Sequence, residues 1–284
     1  MATNSYPFNI TSLSPWCLLF TLCWSGIPSG HAADTASPTT SAVYDYAEPR
    51  LLTGTLYAVG SDRKSVLFTF RRTATCSGTT VRVERQFLGP NNSVAAVEKV
   101  LYESNQLVSF EMQEFQANVS GSVQIQPESK DPAHQKMFIS YAHGLNPPKG
   151  HARTFQPNTI IDDTLYPFMM AHWADLMQGD AVKFRFVSLE WERTFEFRLL
   201  KTGESGENGQ PVVQITMKPT SLFVAKLVNP LIFIVEKNGA HRILSYTGRT
   251  TPRIRKGNSW KYLDAETVFN YPPKSTGKPP RDRN

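Results

Sequence analysis

Cysteine is scarce. The 284 residues hold three, Cys17, Cys23 and Cys76. The first two fall in a stretch that reads as a cleaved leader, which leaves the mature chain with Cys76 alone. One thiol forms no internal disulfide and no multi-cysteine metal site. Cys76 sits in a Thr75–Gly78 turn and reads as a half-buried spectator, because a reactive thiol needs a base or a positive field beside it. Charge is also thin. Asp, Glu, Lys and Arg make up 19% of the chain, below the quarter or so of an average domain. At 40% hydrophobic residues, the chain still has material for a core and does not read as disordered.

Long apolar runs are missing too. Trp16 to Trp24 is the apolar heart of the N-terminal stretch, and it falls short of the roughly 20 residues a spanning helix needs. Phe223 to Val235 is apolar but broken by Lys226 and Pro230. An integral membrane helix is therefore not expected.

Motifs for covalent or phosphoryl chemistry are absent as well. The chain has no Gly-x-Ser-x-Gly elbow, no Gly-x-x-x-x-Gly-Lys loop and no His-Glu-x-x-His pair. His143 and His151 share one segment, but no carboxylate lies between them, and a metal site needs a third ligand and a second shell. No cofactor, metal or catalytic residue is assigned. Asp162 and Asp163 read as helix-capping oxygens, and His172 as an ordinary helical histidine.

What is present begins with the leader. Residues 1–32 combine a short apolar core with helix breakers and Gly30-His31-Ala32, a small-residue cleavage pattern after Ala32. No Lys or Arg precedes the core. Neither Cys17 nor Cys23 has the spacing of an acylated lipoprotein cysteine. The expectation is export to the periplasm as a soluble protein without a lipid anchor. Residues 33–42 form a Ser/Thr/Pro/Ala linker. Residues 43–271 form one β-rich domain, and 272–284 a disordered basic tail. From Arg242 to the end there are ten Lys or Arg against three Asp or Glu, so this end carries +7 and the rest −1. That points to an anionic partner such as phospholipid or to a solubilising tail. Export argues against nucleic acid.

Most of the interior alternates apolar and polar residues with period two, the pattern of a sheet with one wet face. Val66, Phe68 and Phe70 share one side of a strand over 65–73. Val81, Val83 and Phe87 alternate with Arg82, Glu84 and Gln86 over 80–88. Further strands are expected at 51–59, 94–102, 107–115, 119–125 and 137–142. Residues 143–157, rich in Gly, Pro and basic side chains, read as a break. The best helix runs from Thr164 to Gln178, stopped by Gly179, with Leu165, Phe168, Met169, Trp173, Leu176 and Met177 in one stripe. Strands resume at 182–186, 195–199 and 212–217, a polar loop covers 203–210, and a short helix is expected over 221–228. Asn238-Gly239 predicts a two-residue hairpin turn between 231–236 and 242–247. A last strand lies at 260–269. About a dozen strands and one good helix define a mainly β (α+β) fold. The expected form is a long curved antiparallel sheet or half-barrel with the main helix on its concave face.

Helix 163–179, followed by Met217-Lys218-Pro219-Thr220-Ser221, Leu227-Val228-Asn229-Pro230-Leu231-Ile232-Phe233 and Arg242-Ile243-Leu244-Ser245-Tyr246-Thr247-Gly248-Arg249, resembles an uncharacterised periplasmic β-rich family of Gram-negative bacteria. The architecture of that family is similar to the half-barrel of lipoprotein carriers and lipid-binding proteins. The resemblance covers about 162–269 and implies a fold, not a site. The expected function is non-enzymatic binding of an apolar or lipid-like ligand. Phe168, Met169, Trp173 and Leu176 are the candidate contacts, because Met and aromatic side chains suit adaptable apolar contact. The same stripe also reads as plain core. A structural or assembly factor that touches envelope proteins is the alternative. An enzyme with a site of scattered residues is a third reading.

Overall fold

The computed structural model describes residues 45–128, 131–144, 149–207 and 209–272. The expected leader and linker, and all of the tail but Pro272, lie outside them.

The first half of the chain is a run of strands. They are β1 (Leu51–Ala58), β2 (Val66–Ser77), β3 (Thr80–Leu88), β4 (Val94–Glu103), β5 (Gln106–Glu114), β6 (Val119–Glu128), β7 (Asp131–His143), β8 (Lys149–Thr154) and the two-residue β9 (Thr159–Ile160). A 3-10 turn at Asp162–Thr164 leads into α1 (Leu165–Ala171) and α2 (Trp173–Gln178). Then follow β10 (Val182–Ser188), β11 (Arg193–Glu207), β12 (Gln210–Pro219), α3 (Leu222–Ala225), β13 (Leu231–Glu236), β14 (Ile243–Lys256) and β15 (Ser259–Asn270). Period-two alternation dictates this: one face of each strand can be buried only if the strands share a sheet.

All fifteen strands belong to one curved, unclosed sheet. Its order is β8-β7-β6-β5-β4-β3-β2-β1-β15-β14-β13-β12-β11-β10-β9. Every neighbouring pair is antiparallel except β9 with β10. The first and last strands therefore meet in the middle, with Thr53 opposite Asn270 and Ala58 opposite Ala265. The two edge strands, β8 and β9, are consecutive in sequence. Only Phe155–Asn158 joins them, a link that spans at most about 17 Å. A sheet of this width whose edges are tethered so closely has to curl. Arg253 of β14 spans the interior to β5, donating its Nη1 to Glu114 Oε1 at 2.6 Å and its backbone N–H to Glu114 Oε2 at 2.8 Å. Tyr141 Oη on β7 accepts from Arg253 Nη2 at 3.0 Å.

The buried face gathers three apolar clusters. One joins α1 and α2 to β10–β14 through Leu165, Phe168, Met169, Leu176, Phe184, Leu199 and Ile215. A second fills the β3–β7 half around Val83, Val100, Phe110, Val123 and Ile139. A third lies under the β1–β15 junction, around Leu56, Phe70, Phe87 and Ala265. The helical segment thus packs on the concave face.

Four local expectations are corrected. The break at 143–157 contains β8. Its sequence, Lys-Gly-His-Ala-Arg-Thr, has no apolar alternation to announce it, and it pairs with β7 at the sheet's edge. The expected loop at 203–210 is the far end of a long β11–β12 hairpin, in which Glu207 lies opposite Gln210 and a register shift falls between Lys201 and Gly203. The single helix is two short ones that bend at His172 (φ −103°, ψ 20°), and Gly179 ends the second at φ +93°. The hairpin joining β13 to β14 forms, but not as a two-residue turn. Lys237 N–H is bonded to Pro211 O at 2.9 Å, so the chain continues beside β12 before it reverses. Gly239 and His241 take the positive φ values there, and Asn238 does not.

Candidate functional site

Strand alternation puts three charged residues on the buried face. Arg72 of β2, Arg85 of β3 and Glu98 of β4 are successive cross-strand partners. Arg72 and Glu98 are buried, and Arg85 is half-buried. Such groups remain inside only if paired. The turn before α1 supplies the pairing. Arg72 Nε donates to Asp163 Oδ1 at 2.9 Å, and Nη2 to Asp163 Oδ2 at 3.2 Å. The other Arg72 donors reach Pro49 O at 2.6 Å and Tyr46 O at 2.8 Å. Tyr102 Oη donates to Asp163 Oδ2 at 2.9 Å, and its ring stacks on Tyr46 with centroids 4.0 Å apart. Asp162 Oδ2 lies 3.5 Å from Arg85 Nη1.

The aspartates therefore do not cap the helix. Neither the 3-10 turn nor α1 has a side-chain cap on its first turn. Thr164 instead closes a local loop, accepting from Ile161 N–H at 3.0 Å and donating to Ile161 O at 2.8 Å. Sequence reasoning missed this row, though its signal was there. Arg72 follows Phe68 and Phe70 in phase, Arg85 sits between Val83 and Phe87, and Glu98 sits between Ala96 and Val100. Each is a charge at an apolar-phase position.

The electrostatics follow from burial. Burial pushes the Asp163 carboxyl up, but the Arg72 charge and hydrogen bonds, with help from Arg85 and Tyr102, hold it below the usual range. Glu98 goes the other way. Burial lifts its carboxyl to about 7, against the pull of Arg85. Arg85 Nη1 lies 2.9 Å from Glu98 Oε2, yet neither atom makes a well-directed hydrogen bond. The pair is held by charge more than by geometry, and that leaves desolvation dominant at the carboxylate. Burial, and then Asp163, push the Tyr102 hydroxyl well above its ordinary value. Both Asp163 oxygens are engaged, so the row serves to anchor the helical segment to β2–β4.

The sequence candidates fall on the core side of the same segment. Phe168, Met169 and Leu176 are buried in the cluster with Phe184 and Leu199. Trp173 is half-buried and stacks on His241 at 4.2 Å. His172 meets Asp175 at 3.0 Å, and His151 pairs with Glu192. Cys76 is a free, exposed thiol. Among the described residues no three His, Cys, Asp or Glu side chains gather closely enough to hold a metal ion. No helix among them is long and apolar enough to cross a membrane.

Two hollows open around the β8–β9 link. The cleft, about 300 Å³, lies beside α1 and the β4–β5 turn. Tyr46, Leu107, Phe155, Ile160 and Phe168 form its apolar wall, and the amides of Asn105, Gln106, Gln135 and Asn158 its polar one. The slot, about 560 Å³, lies between β8 and the β10–β11 hairpin and is lined by Arg153, Arg185 and Arg193. Thr159 borders both. Of the four sequence candidates only Phe168 reaches either hollow.

Comparison of the chain with protein-family models, with curated proteins and with solved structures finds no match.

Proposed function

We propose that this is an exported periplasmic protein that binds an amphiphilic, lipid-like ligand without transforming it. The cleft beside α1 carries the reading. Its wall of aromatic and aliphatic side chains faces a rim of uncharged amides, a lining suited to a molecule with an apolar part and a polar part. The curved, unclosed sheet with helices on its concave face supports the same reading. Met169 and Leu176 serve as core packing, and Phe168 as part of the cleft's apolar wall. Native mass spectrometry of the full chain after gentle extraction should show lipid adducts, and Phe155→Arg should remove them without unfolding the protein. Spectra free of adducts, or adducts that persist in Phe155→Arg, would refute the reading.

One observation favours a contact role instead. On α3 and just after it, Leu222, Phe223 and Leu227 are 85%, 66% and 48% exposed. Three large apolar side chains this exposed within six residues form a patch suited to another envelope component. Replacing Leu222 and Phe223 with Ser would then abolish that contact and leave lipid adducts unchanged.

A further inference from the structure

The two edges of the sheet approach each other but do not pair. In the slot between them, Arg153 comes from β8, Arg185 from β10 and Arg193 from the start of β11. Arg153 Nε donates to the backbone oxygen of Glu192 at 3.4 Å, and Arg193 Nε to that of Trp191 at 3.4 Å. These neutral carbonyls orient the two side chains without forming an ion pair with them. Among the described residues none of the three arginines has a carboxylate within 4.0 Å. Glu192 is engaged by His151. Glu196, directly across from Arg185 in register, is not within that distance. The lining adds Met137, Gln156, Thr154, Thr159 and Thr194 and no acidic residue.

Three guanidinium groups in one polar hollow carry more positive charge than a single carboxylate would balance, and their planar forks match the oxygens of phosphate. A hollow of about 560 Å³ holds more than a bare ion. We propose that the slot binds a phosphate-bearing ligand, its phosphoryl oxygens on Arg153, Arg185 and Arg193. Because Thr159 borders both hollows, a phospholipid could lay its headgroup in the slot and an apolar portion in the neighbouring cleft. In that form the proposal rests on the amphiphile reading above.

The test uses the purified full chain and two probes: pyrophosphate by titration calorimetry, and phosphatidylglycerol vesicles by flotation. Pyrophosphate should bind near one per chain, and more weakly as salt rises. Arg153→Ala with Arg193→Ala should weaken it at least tenfold with an unchanged melting temperature. Arg185→Lys should retain part of the affinity. Arg71→Ala, on the exposed face of β2, should retain all of it. Loss of both probes in the double variant supports the slot as a headgroup site. Loss of pyrophosphate alone, with vesicle binding intact, supports a free-phosphate site and overturns the lipid form. No binding of pyrophosphate, or equal weakening by Arg71→Ala, overturns the slot altogether. Lipid adducts could survive that last result, so the cleft and the slot fail separately.

Discussion

Asp163 and Arg72 face each other in a two-pronged pair, Nε to Oδ1 at 2.9 Å and Nη2 to Oδ2 at 3.2 Å, with both side chains nearly inaccessible to water. They lie 91 residues apart in the chain and fix the helical segment to the first half of the sheet. Arg72→Met leaves a buried carboxylate without its counter-charge. It should cost about 3–5 kcal/mol of stability, read as a lower urea midpoint. Adding Asp163→Leu should recover much of the loss. A double variant as unstable as the single one would show that the arginine matters through its bonds to Tyr46 and Pro49 instead.

Glu98 gives the fold a pH dependence of definite sign. Its carboxyl titrates near 7 in the folded protein and near 4.5 when unfolded. Between those values the folded state holds the extra proton, so this contribution is complete below about 4.5 and is lost as pH rises through about 7. Glu114, also raised chiefly by burial, acts in the same direction. Thermal unfolding from pH 4.5 to 7.5 should therefore show a shallower slope in Glu98→Gln than in the native protein, though not a flat one. Identical slopes would mean that Glu98 is ionised throughout.

Gly54 marks where the first and last strands touch. A Cβ there would lie 2.9 Å from Val268 O and 3.1 Å from Phe269 Cδ1, and a backbone oxygen in a ladder has little room to yield. Gly54→Ala should destabilise by about 1–3 kcal/mol. In Gly206→Ala, on the long β11–β12 hairpin, the added carbon meets nothing nearer than 4.0 Å, and the midpoint should hardly move. Chemical denaturation of the two variants side by side is the measurement.

Phe168 and Trp173 divide the helical stripe between packing and surface. Phe168 is buried against Phe184, with centroids 5.4 Å apart, and its replacement by Ala should cost about 3–5 kcal/mol. Trp173, half-buried on His241, should cost clearly less. If the helix contacts ligand through Phe168, a fluorescent lipid probe should bind less well to Phe168→Ala even at temperatures where the variant is fully folded. Undiminished probe binding would confine the stripe to the core.

Period-two alternation made the sheet legible from sequence, and the i, i+3, i+4 stripe did the same for the helix. Both signals come from large apolar side chains, which must choose a face. Where a strand lacks apolar alternation and its place is set largely by ladder pairing, the sequence carries little of it. Lys149–Thr154 and the distal β11–β12 hairpin are polar segments of that kind. The charged row was visible only as three interruptions of phase, at Arg72, Arg85 and Glu98. Local chemistry explains Asp163 well enough as a cap, and only the fold brings it to Arg72. The arginine slot combines residues from three strands, with Arg153 separated from Arg185 by the whole helical segment. No linear spacing encodes it.

The adjacency of β1 and β15 imposes an order on folding. Thr53 cannot meet Asn270 until nearly all of the domain has left the ribosome. Until then β1 has β2 on one side and an unsatisfied edge on the other, and β14 waits with its own edge bare. Each half can form hairpins early from neighbouring strands, while joining them means closing a loop of more than two hundred residues. Such long-range closure makes folding slow and leaves the bare edges open to wrong partners. A chaperone that holds the chain until its final strand arrives would act on this step, and a chain stopped before Ser259 would leave two open edges at the centre of its own sheet.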